Sequence, residues 1–189
     1  MGSNTSAAGK GLRLVFWGNL LLVASAVLAC VAALGPVITV LYVAVDLIGL
    51  VLSALGLAKA MSVHGGYRTA LFFILIVLVC DVLAAITGSW VYLLLRAVSA
   101  IVSYMGMAYV CDSTVQLCMG ERGMADLEDK ARKMYLGCAA VVVFCQLLSV
   151  VNALGDMGGF MNLLSRVVQA IGCIYYMYFL HLGSKALAR

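Results

Sequence analysis

Four residues of this chain are of types that do chemistry and lie where water cannot easily reach them: Asp46, Asp81, Arg96 and Arg166. Each is set in a run of apolar or small residues, as Arg96 is in LLLRAVSAIVSYMG at 93–106. Insertion scales put such a charge at a bilayer centre at a cost of about 2.5–3.5 kcal/mol, so these residues turn toward a protein interior and find partners. Two acids and two arginines balance, and Arg96 is expected opposite Asp46 or Asp81, with Arg166 taking the other acid. A guanidinium binds a carboxylate or phosphate through two parallel hydrogen bonds. A cavity lined by these groups, with Gln146, Gln169, Asn152, Asn162 and Tyr92 around it, would therefore hold a small anionic or zwitterionic solute. An intramembrane acid can also carry protons. The plainer alternative is a buried ion network that only fixes helix register, because desolvation offsets much of the attraction in a buried pair.

No other grouping suggests chemistry. His64 and His181 fall near span ends, away from the acids, and there is no Ser–His–Asp set or phosphate-binding glycine loop. The seven cysteines include no CxxC pair and are read as small apolar packing residues, so no metal, cofactor or enzyme activity is expected.

The elements that must position the four charges follow from composition. Of 189 residues, 65% are hydrophobic and 11% charged, against about 25% charged in a soluble domain. A span needs roughly 20 apolar residues, and six runs qualify: about 12–34, 37–60, 69–86, 90–111, 134–152 and 160–181. The fold class is thus all-α, a polytopic bundle of six transmembrane helices in three hairpins (about 12–60, 69–111 and 134–181), forming one membrane domain over 1–189. Lys10, Arg13, Lys59, Arg68, Arg122, Lys130, Arg132, Lys133, Lys185 and Arg189 occupy the termini and alternate connections. The connections at Gly35–Pro36, Thr87–Gly88–Ser89 and Asn152 to Gly159 hold no Lys or Arg. The excess of Lys and Arg in cytoplasmic loops then predicts both termini in the cytoplasm of an inner or plasma membrane.

Helical offsets place Asp46 on a stripe with Gly49, Ser53 and Gly56, Arg96 with Ser99, Ser103 and Gly106, and Arg166 with Gln169, Cys173 and Tyr176. Small residues let helices approach closely, so these stripes are expected to face other helices. Residues 94–101 (LLRAVSAI) also lie over 164–171 (LSRVVQAI), which points to an internal repeat of hairpins. The loop 119–133 ends in charges spaced for i,i+4 pairs, Asp126–Lys130 and Glu128–Arg132. A short cytoplasmic helix leading into the fifth span is expected there, exposed as solvated surface or as a docking site for a protein partner. Beyond lipid, a solute and that partner, no nucleic acid is implied.

In size, number of spans and cytoplasmic termini the chain is similar to the substrate-binding subunits of energy-coupling-factor transporters. Ser25, Ala29 and Ala33 form a small-residue stripe of the kind those subunits use for docking. The resemblance is architectural and implies a binding protein for a small solute. The alternative function is a non-transporting assembly, regulatory or scaffold subunit.

Overall fold

The computed structural model describes residues 2–30, 35–87, 89–118, 125–155 and 158–187, and among them every element is a helix. The helices are α1 (Gly2–Cys30), α2 (Pro36–Ala60), α3 (Gly65–Ile86), α4 (Ser89–Cys118), α5 (Ala125–Gly155) and α6 (Gly158–Leu187). Local chemistry sets several boundaries. Pro36 opens α2, where its missing N–H costs nothing. His64 adopts an extended backbone and its Nδ1 accepts from the Gly66 N–H, capping α3. Thr87 Oγ1 donates to the Leu83 carbonyl at the other end of α3. The N-terminal residues from Gly2 belong to α1, and Ala8 and Leu12 of that helix are fully buried.

Among the described residues, five helices hold a stretch long and apolar enough to cross a membrane: Ser6–Leu28, Val40–Ala60, Gly65–Ala84, Ala97–Cys118 and Val167–Leu187. The expected span at 134–152 lies in α5, several of whose side chains fall outside the described residues. The outer faces are apolar where a water-soluble helix would be charged. On α2, Val37, Val40, Leu41, Leu47, Ile48, Val51 and Leu55 are exposed; on α3, Phe72, Leu75, Val79, Val82 and Ile86 are exposed. An apolar surface of that extent requires lipid or protein to cover it. The chain is a multi-pass helical membrane protein.

α1 packs along α2, α3 along α4, and α5 along α6, while α1 also lies against α6. The α1–α2 contact is the closest. A Cβ on Gly11 would lie 2.5 Å from the Gly56 carbonyl oxygen, and one on Gly56 would lie 2.6 Å from that of Gly11. Gly18 and Gly49 repeat the reciprocal arrangement, at 2.6 and 2.8 Å. Two antiparallel helices thus touch backbone to backbone, each glycine Cα facing a carbonyl of its partner. Weak Cα–H···O contacts of this kind recur where helices cross closely. The stripe of Gly49, Ser53 and Gly56 is buried here, as expected, against Gly11 and Gly18 of α1.

The best-packed core sits at the end of the bundle that carries the Lys and Arg residues, here called the basic end. It contains Leu12, Val15, Leu57, Ala60, Tyr67, Val110, Met134, Phe179 and Leu180. Tyr67 Oη and Thr114 Oγ1 share a buried hydrogen bond of 3.0 Å across α3 and α4, and Thr114 Oγ1 also donates to the Val110 carbonyl.

Candidate functional site: two serine-held carboxylates

The antiparallel register of α1 and α2 brings Ser25 to Asp46. Ser25 Oγ donates to Asp46 Oδ1 at 2.7 Å, and lies 3.0 Å from the Leu22 carbonyl of its own helix. α3 and α4 build the same chemistry. Ser99 Oγ donates to Asp81 Oδ1 at 3.0 Å, and both Ser25 and Ser99 are buried. Each intramembrane carboxylate is therefore held by a hydroxyl from the neighbouring helix, toward the end of the bundle opposite the basic residues. A hydrogen bond to a charged acceptor is stronger than one between neutral groups, and it offsets part of the carboxylate's desolvation.

Arg96 lies on α4 one turn from Ser99 on the same face, toward the helix start. Its backbone is thus about one turn from the level where Asp81 is held. Arg166 follows Ser165, whose carbonyl accepts a 3.5 Å contact from Cys145 Sγ of α5, so Gln146 and Arg166 are near one another in register. The side chains of Arg96, Arg166, Gln146, Asn152 and Asn162 fall outside the described residues, as do Ala29's side chain and the whole of Ala33 from the expected stripe on the first span. Gln169 and Tyr92 are exposed on the surface of the chain. Among the described residues there is no buried charged network. The ion pairs there are Lys130–Asp126 and Lys133–Asp129, both solvent-facing and one turn apart on α5. Lys133 pairs with Asp129, and the expected Glu128–Arg132 pair does not form.

The serines are the partners that charge-matching on the sequence passes over, because it seeks an arginine for each acid. Counting outward from the turn would have found one: Ser25 is ten residues before Gly35 and Asp46 ten after Pro36.

Below these carboxylates, toward the bundle centre, is a cavity of about 70 Å³ between α1, α2, α3, α4 and α6. Asn19, Ser53, Ser103 and Tyr176 supply its polar groups, and Leu22, Leu50 and Val77 lie on the rest of its wall. Asn19 Nδ2 donates to the Val15 carbonyl. Ser53 Oγ is buried without a hydrogen-bond partner and occupies the space that a side chain at Gly18 would need. A water needs about 10–15 Å³ of such volume, so the cavity has room for a few waters or a small polar group. Among the described residues no cluster of His, Cys, Asp or Glu could hold a metal. No family model, no curated protein and no solved structure matches this chain.

Proposed function

We propose that this protein spans the membrane six times, with both termini in the cytoplasm of an inner or plasma membrane. In this reading it binds a small zwitterionic or anionic solute from the opposite side, as a carrier or as the binding subunit of one. The observation that carries the proposal is the matched pair of serine-held carboxylates, Asp46 with Ser25 and Asp81 with Ser99. Two intramembrane acids on adjacent helix pairs are costly unless something uses them. Asp46 and Asp81 would take the ammonium of a zwitterion. Arg96 and Arg166 would take its carboxylate or a phosphate. The match of residues 94–101 with 164–171 would fit this use, since repeats build many transporters around a central site.

The test is ligand-dependent thermal stabilisation of the purified protein in lipid nanodiscs across amino acids, dicarboxylates and phosphomonoesters. At least one class is expected to stabilise the wild type and to fail with Asp81→Asn and with Arg96→Gln. No stabilisation by any class, or stabilisation unchanged in both variants, would overturn the proposal. Single-cysteine labelling completes it: Ser89 and Gly158 should react from outside and Gly65 from inside, and one side for all three would refute the topology.

A second reading is favoured by the small cavity and the backbone-to-backbone α1–α2 contact: a non-transporting structural or assembly subunit. A partner would then dock on the exposed charges at the start of α5, among them Asp126, Glu128, Arg132 and Lys133. The paired variant Arg96→Leu with Asp81→Leu separates the two. Restored stability with lost solute binding supports the binding protein, and restored stability with an unchanged cellular phenotype supports the subunit.

A further inference from the structure

The charges at the basic end are segregated. Lys10 and Arg13 on α1, Lys59 on α2, Arg68 on α3 and Lys185 on α6 are all exposed. α1 and α6 contain no Asp or Glu, and the single acids of α2 and α3 are Asp46 and Asp81, held near the other end of the bundle. The described acids of the basic end, Asp112, Asp126, Glu128 and Asp129, belong to the α4–α5 side, and three of them have partners there. Asp112 accepts from Gln116, Asp126 from Lys130 and Asp129 from Lys133.

Packing draws the unmatched cations onto one side. Gly11 lies against Gly56 and Ala60, which puts Lys10 and Arg13 beside Lys59. Leu12 touches Gly183, which brings Lys185 to the same level. The short Met61–His64 turn then returns the chain to Arg68. Helix dipoles do not account for this arrangement. Lys59 and Lys185 sit in last turns, where the dipole favours a cation, but Arg68 is in the first turn of α3, where it opposes one.

We propose that this α1–α2–α3–α6 side of the basic end is a docking surface for the headgroups of anionic phospholipids, and that the α4–α5 side is not. The occupant is lipid because Lys59, Arg68 and Lys185 stand within one turn of the ends of membrane-length stretches, packing draws Lys10 and Arg13 to the same end, and the four helices carry no acid there to neutralise them. Each such cation contributes roughly a five-fold gain in partition toward an anionic surface.

The experiment is native mass spectrometry and thermal unfolding of the full chain, titrated with phosphatidylglycerol or phosphatidylcholine. The variants are Lys10→Gln/Arg13→Gln/Arg68→Gln and, on the other side, Lys130→Gln/Arg132→Gln/Lys133→Gln. Wild type is expected to bind and be stabilised by phosphatidylglycerol in preference to phosphatidylcholine, more strongly at low salt. The first variant should lose that preference by roughly a hundred-fold, and the second should keep it. The charge-preserving variant Lys10→Arg/Arg13→Lys/Arg68→Lys should also keep it, which separates lost charge from lost fold. Equal response to the two lipids, an unaltered preference in the first variant, or an equal loss in the second would overturn the proposal.

Discussion

Replacing Gly18 by Ala tests whether the α1–α2 contact is as close as the structure has it. The new methyl would collide with Ser53 Oγ and stand 2.6 Å from the Gly49 carbonyl oxygen. Ordinary van der Waals separation begins at 3.4 Å, so the helices must part by about 0.8 Å. The Ser53 hydroxyl can rotate away, but the Gly49 carbonyl cannot, because it belongs to the backbone of α2. Overpacking of this kind costs about 1–3 kcal/mol, and breaking each Cα–H···O interaction adds about 0.5–1 kcal/mol. Gly66→Ala is the contrasting case. There the obstacle is the Ser113 hydroxyl, a side-chain tip, with His64 Nδ1 next at 3.2 Å. Adding Ser113→Ala should therefore rescue Gly66→Ala, whereas adding Ser53→Ala should not rescue Gly18→Ala. Gly137, with nothing near its Cβ position, should accept Ala without penalty. The assay is reversible unfolding in mixed micelles, with the single and double variants compared at one lipid concentration. Gly18→Ala as stable as Gly137→Ala, or restored by Ser53→Ala, would refute the reasoning.

Thr114→Val leaves the buried Tyr67 hydroxyl without its partner and should cost about 1–3 kcal/mol, whereas Tyr67→Phe removes only the bond and should cost about 0.5–1.5 kcal/mol; the reverse order in the same unfolding assay would be wrong for this geometry. Ser99→Ala removes a donor to Asp81 and should destabilise more than Ser184→Ala, whose exposed hydroxyl only reaches the His181 carbonyl. Hydrogen bonds to Asp126 and Asp129 hold the Lys130 and Lys133 ammonium groups above the ordinary lysine value of 10.5. Their contribution is then complete at neutral pH and disappears as pH rises past the lysine range, so the stability gap between wild type and Asp126→Asn/Asp129→Asn should close in strong alkali and not before.

Much of the architecture was legible because a bilayer permits few solutions. A chain whose apolar runs exceed the length of a span must be helical, since lipid cannot satisfy open backbone groups, so an all-helical membrane protein follows from composition alone. The stripe of Gly49, Ser53 and Gly56 was legible for a related reason: small residues at helical spacing mark where backbones can meet. Pairing across helices was not. Asp46 could have faced any polar group on any helix, and charge alone pointed to an arginine. The antiparallel register, fixed by reciprocal contact of Gly11 with Gly56 and Gly18 with Gly49, brought Ser25 to Asp46. Likewise Gln169 shares a helical offset with Cys173 and Tyr176, yet only Tyr176 is fully buried, because offsets define a face but not which part of it a neighbour covers. By itself the sequence determined that the chain is a membrane-spanning helical bundle. The tertiary structure decided which small residues mesh, and so which hydroxyl each buried carboxylate receives, because side-chain pairing depends on register and register is set by packing.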